Sequence, residues 1–272
     1  MPPVDVDATV MANARLSREY SVLSLAAPEV GARTRPGQFV MLKPAGVTDP
    51  LLRRPFSVFE ILRDSRGAIT GVSILNKRAG RSTKKLYDLE AGDVVSCLGP
   101  LGLPFTPVSA PRQAWMVAGG VGLAPFATLA ESLAASGTPT TLFYGARTSD
   151  ELFYLDFFGR LGVTLVLATE DGGRGVKGRV TAPLEQALKS LGADRAMVYA
   201  CGPEPMLEAV AKLAGRYQQP SQVSVERVMG CGLGGCYSCV IPIRNGPKGH
   251  HYVRSCIGGP VFAGDQIAWD AH

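Results

Sequence analysis

The sequence predicts an all-β plus α/β chain: an antiparallel N-terminal domain, a parallel-sheet domain and a small C-terminal subdomain. Three observations carry this reading. Short β-rich runs separated by turn residues fill roughly the first hundred positions. From Ala114 onward, apolar strand-like runs alternate with helical stretches, the rhythm of βαβ units with both sheet faces covered. After Val228 that rhythm stops, and Gly-, Cys- and polar-rich sequence runs to the end. The boundaries so predicted are 1–110, 111–228 and 229–272.

In the first unit the expected strands are Thr9–Leu16, Tyr20–Ala26, Gln38–Lys43, Phe56–Ile61, Thr70–Leu75 and Asp93–Leu98. Arg35-Pro36-Gly37, Asp64-Ser65-Arg66-Gly67 and Glu90-Ala91-Gly92-Asp93 supply turns between them, which suits an antiparallel barrel or sandwich. A short helix is expected at Thr83–Leu89. In the second unit strands are expected at Ala114–Ala118, Thr140–Tyr144, Val163–Ala168, Ala196–Ala200 and Gln222–Val225. Helices are expected at Pro125–Ala135, Asp150–Leu161, Ala182–Leu191 and Glu204–Arg216.

Composition excludes several classes. The 272 residues suit about two domains, and 32 Gly with 20 Pro fall short of a low-complexity chain. A net charge of +5 with scattered basic residues gives little support to nucleic-acid binding and fits small anionic ligands better. The uncharged run Gln113–Ala130 is long enough to raise the question of a membrane span. Gly119, Gly120, Gly122 and Pro125 break it, so a strand, a glycine turn and a helix explain it better. The N-terminus has no apolar signal core, and the six cysteines then suit a reducing cytoplasm.

Four of those cysteines crowd near the C-terminus. Cys231, Cys236 and Cys239 have the spacing C-x4-C-x2-C, and Cys256 follows after sixteen intervening residues. This is the plant-type [2Fe–2S] pattern, in which four soft thiolates hold two tetrahedral irons. The intervening glycines let backbone N–H groups approach cluster sulfurs. Zinc is the competing metal, but its sites usually pair two short Cys arms, and Cys256 has no nearby partner in sequence. Cys97 falls within an expected strand and reads as packing.

Three further segments suit phosphate-bearing cofactors. Arg53-Arg54-Pro55-Phe56-Ser57 joins two expected strands and offers an arginine beside a strand hydroxyl. Gly80-Arg81-Ser82-Thr83 opens the short helix, where N–H groups favour phosphate, although Ser82 or Thr83 could equally be a plain cap. Gly119-Gly120-Val121-Gly122 follows a strand and precedes a helix, the context of a glycine-rich phosphate turn or of an ordinary tight βα turn. Cys201, before Gly202-Pro203, ends a parallel strand, where open α/β sheets bind ligands.

Taken together and in this order, with Gly99-Pro100-Leu101-Gly102 between them, these motifs resemble the ferredoxin–NADP reductase superfamily. Within it they resemble the electron-transfer subunits of type B, NAD-dependent dihydroorotate dehydrogenases, over essentially the whole chain. The resemblance implies an N-terminal FAD-binding β-barrel, an NAD-binding α/β domain and a [2Fe–2S] subdomain. Arg54, Pro55, Phe56 and Ser57 would line FAD, with Ser57 at its reactive edge; Leu75, Asn76 and Lys77 would contact it; Gly80, Ser82 and Thr83 would hold its pyrophosphate. Gly119, Gly120 and Gly122 would cradle the dinucleotide, Cys201 would sit at the hydride-transfer face, and the four clustered cysteines would ligate iron. The family often has Gly where Ser82 stands and an aromatic residue where Asn76 stands.

Electrons would then pass between NAD(H), FAD and the cluster, to or from the FMN of a catalytic subunit, in a heterotetramer of two of each, for pyrimidine biosynthesis. Glu170-Asp171 follows an expected strand where NADP enzymes resemble Ser-Arg, which implies a preference for NAD. The rivals are a flavin and iron–sulfur reductase subunit serving a hydrogenase, an NADH:ferredoxin-type complex or an oxygenase, and a cluster-based redox sensor.

Overall fold

The computed structural model describes residues 2–110, 112–191, 195–246 and 249–271. Six strands, β1 (Val4–Arg15), β2 (Tyr20–Ala26), β3 (Phe39–Pro44), β4 (Arg54–Arg63), β5 (Ile69–Lys77) and β6 (Val94–Leu101), close a barrel in the order β1-β2-β5-β4-β3-β6. Every pairing in it is antiparallel. Closure removes the exposed edges that a sandwich would keep, which resolves the barrel-or-sandwich alternative. Alternate residues such as Val40, Leu42, Val58, Val72 and Ile74 fill its interior. Cys97 lies among them, fully buried, as expected of a packing residue; burial pushes its thiol up to about 12. Two short helices accompany the barrel, α1 (Pro28–Gly31) and α2 (Arg81–Asp88).

The second unit contains β7 (Gln113–Gly119), α3 (Phe126–Ala135), β8 (Thr140–Ala146), α4 (Leu155–Arg160), β9 (Thr164–Thr169) and β10 (Val176–Lys177). It continues with α5 (Thr181–Ser190), β11 (Ala196–Cys201), α6 (Glu204–Arg216) and β12 (Ser221–Ser224). The strands β10-β9-β8-β7-β11-β12 run parallel. The order reverses direction at β7, which places a topological switch point between β7 and β11.

The helix expected over Asp150–Leu161 is broken. A 3-10 turn at Ser149–Glu151 is followed by Tyr154 in the left-handed region, φ 60°, before α4 begins. Tertiary packing overrides local propensity here: the Tyr154 ring meets Phe59 edge-on at 4.6 Å, and Tyr144 donates to the Glu151 carbonyl at 3.0 Å.

The barrel and the sheet share one apolar core. Phe105, from the connection after β6, lies 5.9 Å from Phe126 and 5.4 Å from Tyr199. The Tyr199 hydroxyl accepts from Val108 N and donates to Thr106 O, fastening that connection to β11.

Glu60 on β4 sits half-buried, and burial raises its carboxyl above the ordinary 4.5, against a bond from Ser73 at 2.9 Å. A carboxyl raised by folding destabilises once it ionises, so stability falls as pH rises from 4.5 through its folded value. Glu60→Gln keeps an acceptor for Ser73 and is expected to raise the melting temperature at pH 8 by about 2 °C, less at pH 5. An equal shift at both pH values would refute this.

The C-terminal stretch holds more order than the sequence predicted. β13 (Val240–Asn245) and β14 (Gly249–Arg254) form a hairpin, followed by α7 (Ser255–Gly258) and β15 (Val261–Ala263). β15 adds antiparallel to β12. Ile241, Phe262, Ile267 and Trp269 enter the core beneath α5 and α6, so this segment is anchored to the sheet.

Candidate cofactor and electron-transfer sites

The cluster loop, residues 230–239, lies on the outer face of the barrel. Cys239 and Cys256 are buried against Phe39, Met41, Leu98, Leu101 and Met229. The loop presses close: at Gly232, φ 72°, a methyl group would stand 2.7 Å from Met41 Cγ. Arg254 clamps it from β14, with its guanidinium 4.5 Å over the Tyr237 ring and bonded to Gly234 O at 2.8 Å. Ser255 N donates to Cys239 O at 2.9 Å and ties the two distant ligand segments together.

Cys231 influences the ionisation of Cys236, and Cys239 that of Cys256. Four thiolates would supply the ligands that two irons need. The plant-type spacing of these four thiols fits a [2Fe–2S] cluster better than zinc. The Ser238 hydroxyl, 3.1 Å from Cys236 Sγ, holds that exposed thiol down to about 6, with Cys231 adding to the effect. Burial pushes Cys256 up to about 12. Leu233 N points at Cys231 Sγ at 3.3 Å, and the buried Ser255 hydroxyl has no protein partner. Both are donors of the kind that sulfur-rich centres use.

A cleft of about 330 Å³ opens beside Cys231, lined by Lys43, Leu51, Leu52, Arg53, Ser96 and Gly230. Leu51 in this cleft is 75% exposed, and the segment that carries the cluster loop exposes Val228, Leu233 and Tyr237 by 81%, 57% and 62%.

The proposed flavin strand is β4, the direct neighbour of the cluster bed. Ser57 pairs across to Phe39 and Pro55 to Met41, so the same outer face carries both. Arg54, Pro55, Phe56 and Ser57 are all half-exposed, where a strand of a filled barrel alternates. Arg54 Nη1 is bonded to the Leu52 and Arg53 carbonyls at 2.9 and 3.1 Å.

At α2, Ser82 is nearly buried, and the Thr83 hydroxyl accepts from Ala79 N and Gly80 N. What this turn offers a pyrophosphate is therefore the backbone N–H groups of Arg81, Ser82 and Thr83, which helix geometry leaves without intrahelical acceptors. Leu75 is buried, Lys77 is half-exposed with its ammonium 5.0 Å from the Tyr20 ring, and Asn76 is fully buried. These features fit FAD, except that Asn76 faces the underside of α2 (Nδ2 to Thr83 O, 3.0 Å). Direct contact by its side chain is thereby replaced by support from behind.

In the sheet, Gly119, Gly120 and Gly122 form the turn after β7, packed directly on the Cys201-Gly202-Pro203 turn after β11. Cys201 is half-buried, and burial pushes its thiol up to about 12, with nearby Ser224 acting in the opposite direction. A neutral thiol is suited to packing beside a nicotinamide and not to nucleophilic chemistry. Glu170 and Asp171 are exposed at the carboxyl end of β9, two strands from the glycine turn, or about 10 Å across the sheet. A second cleft of about 260 Å³ lies beyond β8 and β9, lined by Leu152, Tyr154, Leu155, Asp156 and Arg174.

Sequence reasoning missed Arg227, which holds Glu204 at the start of α6 through two bonds of 2.7 Å. This pair links the segment leading to the cluster with the nucleotide crevice.

Comparison with known proteins agrees with this geometry. A family model of the oxidoreductase NAD-binding domain matches residues 116–212. A model of the iron-sulfur cluster binding domain of dihydroorotate dehydrogenase B matches residues 226–268. The electron transfer subunit of dihydroorotate dehydrogenase B (NAD(+)) from Bacillus mycoides (strain KBAB4) is 39% identical over 230 residues, 84% of each chain. Its counterpart from Bacillus cereus (strain B4264) is equally similar. Among solved structures, an NADH-dependent reduced ferredoxin-NADP oxidoreductase superposes with a TM-score of 0.81 at 26% identity, over 97% of this chain and 90% of that one. A ferredoxin reductase of carbazole 1,9a-dioxygenase gives 0.67 at 23% identity, over 79% and 66%. The chain belongs to the family of dihydroorotate dehydrogenase B electron transfer subunits.

Proposed function

We propose that this chain carries electrons between NAD(H), FAD and a [2Fe–2S] cluster, to and from the FMN of a dihydroorotate dehydrogenase catalytic subunit in pyrimidine biosynthesis. The observation that carries this reading is the cluster loop whose Cys239 and Cys256 are buried against Phe39 and Met41 of β3, one strand from the proposed flavin segment of β4. A flavin placed between a nicotinamide and an iron–sulfur centre supplies the change from two-electron to one-electron transfer.

The chain's own residues supply position and electrostatics. Ser57 offers its hydroxyl to the flavin edge, Arg54 and the α2 N-terminus hold pyrophosphate, and Cys201 packs the nicotinamide against the flavin. The units 1–110, 111–228 and 229–272 would bind FAD, NAD and the cluster in turn. The apolar rim at Leu51, Leu52, Leu233 and Tyr237 suits burial against the catalytic subunit, in a cytoplasmic heterotetramer of two of each. No helix among the described residues is long and apolar enough to cross a membrane.

In the complex with its catalytic subunit, dihydroorotate should reduce both flavin and cluster and then pass electrons to NAD+. The same complex responding to reduced ferredoxin and not to dihydroorotate would favour the second reading, a ferredoxin-linked reductase subunit, which the fold match at a TM-score of 0.81 keeps in view. Glu170 and Asp171 would repel a 2′-phosphate and accept from a free ribose hydroxyl. NADH should therefore exceed NADPH in kcat/KM by at least about tenfold. A steady-state preference for NADPH would refute the assignment.

A further inference from the structure

We infer that Asn76 is a positioning residue that aims the first turn of α2 at the FAD pyrophosphate, an inference that rests on the flavin site proposed above. Helix α2 has eight residues, too few to be stable alone, and it buries only Ser82 and Leu86. Its placement therefore depends on polar anchors.

At the far end, Asn13 of β1 donates to the carbonyls of Leu86, Tyr87 and Leu89 at 2.9, 3.2 and 2.9 Å. Tyr87 adds a bond to Ser17 O at 2.8 Å. At the near end, Asn76 of β5 supplies the buried side-chain anchor from beneath, Nδ2 to Thr83 O at 3.0 Å, with Ser21 Oγ at 3.5 Å, while Arg81 and Lys85 reach Asp49 only on the exposed side. Asn76 is fully buried, and its Oδ1 has no partner. An asparagine that leaves an acceptor unpaired in the core is a poor choice for stability, which a leucine would serve better. What the asparagine gives in return is the fixed direction of the turn whose N–H groups meet the ligand. Without it the near end is held from outside the helix only by the exposed contacts of Arg81 and Lys85 with Asp49, the helix pivots about its well-held C-terminal end, and those N–H groups lose their common aim.

The test is Asn76→Leu, measured by fluorescence titration of FAD into the flavin-free chain. The expected result is FAD binding weaker by about tenfold, the order of one lost buried hydrogen bond. The melting temperature of the flavin-free chain should stay equal or rise, and the 31P resonances of bound FAD should shift. A merely structural asparagine would lower the melting temperature and leave those resonances in place. A dissociation constant within twofold of the parent overturns the inference. Should Asn76→Leu fail to fold, Asn76→Ala, which needs no additional room, decides by the same titration. A parent chain that does not bind FAD refutes the flavin site itself; a parent and a variant that bind FAD equally refute only the role of Asn76.

Discussion

Replacing Cys236 by Ser is expected to abolish the cluster while NADH still bleaches the flavin. Cys236 is one of the four proposed ligands, so its loss would leave the irons one thiolate short. A serine oxygen is a harder and far more basic donor than a thiolate. The Ser238 hydroxyl that holds the Cys236 thiol down to about 6 cannot bring an alcohol into the same range. The proposed flavin segments belong to β4, β5 and α2, and none of them lies within the cluster loop. Iron and acid-labile sulfide should therefore fall from about two per chain toward zero. Electron delivery to the catalytic subunit should fall by at least about a hundredfold. The rate of flavin reduction by NADH, followed by stopped flow, should remain within a few-fold of the parent. Loss of both reactions would show that the loop supports the flavin site, and retention of the cluster would refute the ligand assignment.

What the sequence made legible was local chemistry, where one segment carries the whole signal. The Cys231–Cys239 spacing needs no tertiary context, and neither does a glycine turn between a strand and a helix. What it concealed depends on partners distant in sequence. Phe39-Val40-Met41-Leu42 is apolar on both faces, which marks a strand covered on both sides. Nothing local says that Val40 and Leu42 face the barrel interior while Phe39 and Met41 carry the cluster loop. Asn76 reads as a cofactor contact because it adjoins Lys77, and only the fold puts its amide under Thr83. The break at Tyr154 likewise follows from Phe59, a residue 95 positions away. The order expected only loosely after Val228 comes from β15 joining an existing edge, a contact no periodicity of three residues can announce.

Gly122→Ala is expected to cripple the nucleotide crevice. The glycine is not there for backbone freedom, since among the described glycines with positive φ the turn contributes only Gly120. It is there because a methyl group at position 122 would overlap the carbonyl of Cys201 and stand 2.7 Å from Gly202 N. Those atoms are backbone, held in register by the pairing of Cys201 with Ala118, and no rotamer change can move them aside. The turn after β7 must instead lift away from the turn after β11, at the switch point where the dinucleotide would lie. Overpacking of this kind costs about 1–3 kcal/mol of stability. A displacement near 1 Å at a hydride-transfer site costs about a hundredfold in rate. NADH-dependent flavin reduction should therefore lose about two orders of magnitude in kcat/KM, while FAD and iron content stay at parental levels. Gly120→Ala is the internal comparison: that residue faces open space at φ 54°, so its cost should be limited to about 1 kcal/mol of left-handed strain. If Gly122→Ala left NADH binding within twofold of the parent, the crevice between β7 and β11 would not be the nicotinamide site. A variant that lost flavin, cluster and NADH binding together would point instead to a core defect reaching past the crevice.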